Sequence, residues 1–81
     1  MPKVQRANIP PTLIAHLLDR VIAREITTEN LHQFQSWLNG NPTVPEGRWY
    51  KRFGAFTACG EGALVRTFLS KTQTPVGIEV P

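Results

Sequence analysis

Cysteine is almost missing from this 81-residue chain: Cys59 stands alone, so no intramolecular disulfide and no cysteine-based zinc knuckle can form. Long apolar runs are missing as well. No stretch approaches the roughly 18 apolar residues that span a bilayer, and Met1-Pro2-Lys3-Val4-Gln5-Arg6 leads into no apolar segment with a small-residue cleavage site. These absences predict a cytoplasmic protein with no membrane partner. His16 and His32 sit on separate predicted helices with no cysteine near either, and no nucleophile–base–acid triad is recognisable. The sequence therefore implies no metal and no cofactor, and it leaves open whether any reaction is catalysed. Acidic residues are also scarce. Six Asp and Glu against nine Lys and Arg leave a net charge of +3, which leans toward an anionic partner.

What is present suits one small globular domain. Hydrophobic residues make up 41% of the chain, with two Trp, four Phe and one Tyr, too much for a disordered segment. A chain of this size buries a modest core, which puts its stability near about 4 to 8 kcal/mol. Residues 1–8 carry Lys3 and Arg6 with little apolar content and read as a flexible basic arm, or as a strand in need of a partner. Residues 9–81 form the domain.

The clearest periodicity follows Ile9-Pro10-Pro11-Thr12, where Leu13/Ile14, Leu17/Leu18 and Val21/Ile22 recur at the spacing of one helical face. With Pro11 at a position where its missing N–H costs nothing, this predicts a first helix over 11–24. Thr27 is placed to cap a second, with Glu29 in its first turn and Ile26 ready to pack on Leu31. That helix carries Leu31, Phe34, Trp37 and Leu38 on one face and stops near residue 39, where Asn39-Gly40-Asn41-Pro42 supplies a left-handed exit. A connection of two or three residues should set the helices antiparallel or steeply crossed.

Beyond Pro42 the chain turns β-prone and aromatic. Phe56–Cys59 and Ala63–Leu69 flank Gly60-Glu61-Gly62, a hairpin signature, and Val76, Ile78 and Val80 alternate with Gly77 and Glu79 as a last strand. Residues Arg48–Phe53 fit either helical spacing or a strand with a bulge near Gly54; the aromatic content favours the strand. The predicted fold is α+β: two N-terminal amphipathic helices on a small antiparallel sheet of three or four strands. Its expected core is Leu13, Leu17, Val21, Leu31, Phe34, Trp37, Phe56, Leu64, Phe68 and Ile78.

The most chemically loaded segment is Arg48-Trp49-Tyr50-Lys51-Arg52. Phosphates call for cations and unpaired bases for flat rings or guanidinium planes, so a basic-aromatic strand can hold both parts of a single-stranded nucleic acid. Arg66 sits on the neighbouring strand. Simple alternation puts it in the apolar row of Leu64 and Phe68, which calls for an ion pair with Glu61 or Glu79, or for a functional role. Arg48, Trp49, Tyr50, Lys51, Arg52 and Arg66 are thus the candidate nucleic-acid-binding residues. Trp49 and Phe53 equally suit a core, with Lys51 and Arg52 on an ordinary solvated face. Cys59, among small and apolar neighbours, is no candidate nucleophile.

Two helices followed by a basic sheet is similar to the topology of RelE/ParE-type toxins, small bacterial proteins that cleave ribosome-bound RNA or inhibit gyrase. The resemblance implies a toxin of a bacterial or phage toxin–antitoxin system, with Tyr50, Lys51, Arg52 and Arg66 around a scissile phosphate. Non-catalytic binding of RNA or single-stranded DNA needs only the same charges. A third reading is a protein-interaction module, inhibitor or homo-oligomer without nucleic-acid contact, using a sheet edge or uncovered helix face. The distribution of the four cations separates these readings: convergence on one face favours nucleic acid, pairing with carboxylates disfavours it.

Overall fold

The computed structural model describes residues 2–4 and 9–81. Two helices, α1 (Pro11–Ile22) and α2 (Thr28–Asn39), precede four strands, β1 (Arg48–Phe53), β2 (Phe56–Glu61), β3 (Leu64–Ser70) and β4 (Ile78–Glu79). The α+β class and the order of elements follow the sequence pattern. The sheet is mixed, however, with spatial order β3-β2-β1-β4. Its first three strands are an antiparallel meander, and β4 joins the free edge of β1 in parallel, Trp49 opposite Ile78 and Tyr50 opposite Glu79. Alternating apolar residues mark a strand without encoding its direction, so the all-antiparallel expectation gives way at β4.

Helix α1 ends two residues short of expectation because the chain reverses at Arg24, whose φ is 64°. There the Arg24 amide donates to the Val21 carbonyl at 3.0 Å and the Glu25 amide to that of Arg20 at 2.9 Å, the paired bonds of a Schellman stop. The interhelical connection is correspondingly longer than predicted, and it tucks Ile26 into the core. The start of α2 is as expected: the Thr27 hydroxyl accepts from the Asn30 amide at 3.1 Å. At its end Asn41, not Gly40, takes the left-handed conformation, with φ of 50°.

Both helices lie on one side of the sheet, α1 along β3 and α2 along β1. Phe34 is the centre, with ring centroids 5.3, 5.9 and 5.4 Å from Phe53, Phe56 and Phe68, while Trp37 lies 5.6 Å from Trp49. Edge-to-face contacts of this kind add to simple burial. The amino-terminal segment contributes too. Lys3 bridges to Thr43, the Val4 amide donates to the Pro42 carbonyl at 3.0 Å, and Val4 and Val44 are fully buried. Pro2–Val4 are therefore in the paired one of the two states the sequence allows, while the rest of the 1–8 arm lies outside the described residues.

Of the expected core, Leu17, Phe34, Phe56 and Phe68 are buried, and Leu13, Val21, Leu31 and Trp37 pack against it. Leu64 and Ile78 are corrections: they are 47% and 61% exposed. Ile78 lies on the β4 edge, beyond the helices over β3 and β1, and only Val80 reaches inward. Leu64 is displaced by a bulge. Cys59 pairs with Thr67 but Gly60 pairs with Val65, which leaves Arg66 as an extra residue and reverses the alternation beyond it. Val65 and Phe68, three apart, consequently both face the helices. The expected bulge at Gly54 is instead a two-residue hairpin turn, Gly54-Ala55, matched by Gly62-Ala63 at the next hairpin.

Candidate nucleic-acid interface

Register divides the basic segment between two faces. On β1, Trp49, Lys51 and Phe53 point toward the helices and Arg48, Tyr50 and Arg52 toward the open side, since successive residues of a strand alternate. Trp49 is wholly buried, and its indole N–H donates to the Gly62 carbonyl at 2.9 Å. It has no ring face to offer a base. Lys51 lies beside α2, its ammonium 5.3 Å from the Phe53 ring, in a depression shared with Glu29, His32 and Ser36. The six sequence candidates therefore do not all converge.

Those on the open side fall into two groups. Toward the β4 edge, one Glu79 oxygen accepts from the Tyr50 hydroxyl at 3.2 Å and lies 3.9 Å from the Arg52 Nε, with the Arg52 guanidinium 5.7 Å from the Tyr50 ring centroid. Arg52 and Glu79 are both more than half exposed, so this pair is weak and competes with water. Glu79, one of the two carboxylates expected to balance Arg66, is engaged here.

The second group surrounds a groove. The bulge sets Arg66 and Thr67 together opposite Cys59, which returns Arg66 to the open face instead of the apolar row. Arg48 and Arg66 thus stand on either side of β2, two strand spacings apart, about 9 to 10 Å. Both are exposed, and among the described residues neither has a carboxylate within the 4 Å of an ion pair. Because β3 and β4 occupy opposite edges, residues 71–77 cross the open face and bury Thr57 beneath them. Thr74 and Val76 of this crossing segment roof a groove of about 300 Å³, walled by Arg48 on one side and by Arg66 and Thr67 on the other, with Cys59 in its floor. Glu61, opposite Arg48, lines the hairpin end.

Burial pushes the Cys59 thiol above its ordinary pKa, so it stays protonated at neutral pH and serves as a polarizable floor. Thr67 and Thr74 add hydroxyls that sequence reasoning missed. Thr67 follows Arg66 around the bulge, and Thr74 arrives only through the crossing segment; neither placement has a local signal. Among the described residues no helix is long and apolar enough to cross a membrane, and no cluster of three or more His, Cys, Asp or Glu is arranged to hold a metal. No family model, curated protein or solved structure matches the chain.

Proposed function

We propose that the chain binds single-stranded nucleic acid, RNA or DNA, through the open face of its sheet, without cleaving it. The observation that carries this reading is the pair of unneutralised arginines, Arg48 and Arg66, on the two sides of one groove. Arg52 extends the same face, and Tyr50 is the aromatic ring at its surface. Guanidinium groups satisfy phosphate oxygens in pairs, and a single strand is narrow enough to lie beside the crossing segment, which leaves no broad flat surface for a duplex. The catalytic toxin reading gains less support. A reacting phosphate would require Tyr50, Lys51, Arg52 and Arg66 around one point, whereas Lys51 is on the helix side and Tyr50 and Arg52 share Glu79.

The test is fluorescence anisotropy with a labelled mixed-sequence single strand at low salt. Arg48→Ala and Arg66→Ala should each weaken binding by about 1 to 2 kcal/mol, the value of a charge-assisted hydrogen bond, while Lys51→Ala leaves it unchanged. Equal losses for all three variants, or no binding by the unaltered protein, would refute the proposal.

A further inference from the structure

Thr74 and Val76 of the crossing segment lie across one side of the groove between Arg48 and Arg66, and Glu61 lines its hairpin end. A strand end has to skirt only one of these neighbours, whereas a backbone that continues in both directions meets both. Charge points the same way. A diester phosphate carries one negative charge, whereas a terminal phosphomonoester carries about −1.5 to −2 at pH 7, a match for two guanidinium groups with no carboxylate within ion-pair distance. Thr67 and Thr74 supply hydroxyl donors, and Leu69 and Val76 give apolar surface to the adjoining sugar. The volume, about 300 Å³, is at the small end of ligand clefts, enough for a terminal nucleotide and not for a folded segment.

We infer that this groove is a phosphomonoester site that holds the terminal phosphate of a single-stranded nucleic acid, between Arg48 and Arg66. The inference rests on the nucleic-acid reading above and gives it a polarity: the strand docks by its end and runs outward from the groove. Free nucleotide monophosphates offer the same chemistry without the trailing strand.

Matched oligonucleotides of one sequence distinguish these cases, bearing a 5′-phosphate, a 3′-phosphate or hydroxyls at both ends, with a mononucleotide 5′-phosphate as competitor. One phosphorylated end should bind about tenfold more tightly than the unphosphorylated strand, the equivalent of one further charge-assisted hydrogen bond. Arg48→Ala or Arg66→Ala should abolish that preference, leaving phosphorylated and unphosphorylated strands bound equally. Arg66→Lys should restore part of it, which separates lost charge from a disturbed bulge. A mononucleotide that competes as strongly as the phosphorylated strand upholds the site and assigns its dianion to free nucleotide. Equal affinity for phosphorylated and unphosphorylated strands overturns the inference while leaving single-strand binding intact; no binding of any strand or of the mononucleotide removes both.

Discussion

At the scale of single residues, Gly60 shows how the core and the candidate site constrain each other. A Cβ at this position would lie 2.3 Å from the Trp49 Cζ2 and 2.5 Å from the Leu64 carbonyl oxygen, distances no packed structure sustains. The missing side chain lets the Trp49 indole lie flat against β2 and reach the Gly62 carbonyl. Gly60→Ala should therefore destabilise the fold by about 1 to 3 kcal/mol through overpacking. Gly47→Ala is the control, with nothing within 4 Å of its added methyl, and should change stability by less than about 0.5 kcal/mol. Urea denaturation compares the two; equal effects would mean that Trp49 is not seated against Gly60. The dual character of Trp49 was legible in the sequence, where the ring suited either a core or a base-stacking surface. Deciding between them took the register with Gly60, a contact between strands that no local pattern records.

Among elements, the helices were readable because their signals are local. Apolar residues three and four apart, the proline at the start of α1 and the Thr27 cap are each contained within one turn of chain. The exit from α1 was misplaced because a left-handed Arg24 carries no distinctive composition. Both termini give a paired prediction in thermal melts. Thr27→Ala removes the hydroxyl that accepts from the Asn30 amide and should cost about 1 kcal/mol. Arg24→Gly relieves a side chain held at φ of 64° and should stabilise by about 1 kcal/mol. A Thr27→Ala variant with unchanged stability, or an Arg24→Gly variant that melts earlier, would contradict these assignments. The strands were readable as strands, but their relations were not. The bulge at Arg66 shifts the alternation by one residue, so Leu64 was assigned inward and Val65 was missed. The short β4 gains its order from pairing with β1, and its parallel direction follows from the path of residues 71–77, which is a property of the whole sheet.

For the whole molecule, the net charge of +3 matters less than where the charges stand. The sequence placed six residues in one candidate surface; the fold separates them into a buried Trp49, a Lys51 beside α2, a Tyr50–Arg52–Glu79 cluster and the Arg48–Arg66 groove. Each separation follows from alternation, from the bulge or from the crossing segment, and the last two lie beyond local sequence. The central claim is that the open-face arginines contact phosphates. Counterion release measures such contacts directly, because each phosphate neutralised on a single strand contributes about −0.7 to the slope of log affinity against log salt. With Arg48, Arg52 and Arg66 engaged, the slope for an unphosphorylated single strand should be about −2, and the Arg48→Ala/Arg66→Ala double variant should retain about −0.7. A double variant with the slope of the unaltered protein would show that the phosphates lie elsewhere on the molecule, and would contradict the account.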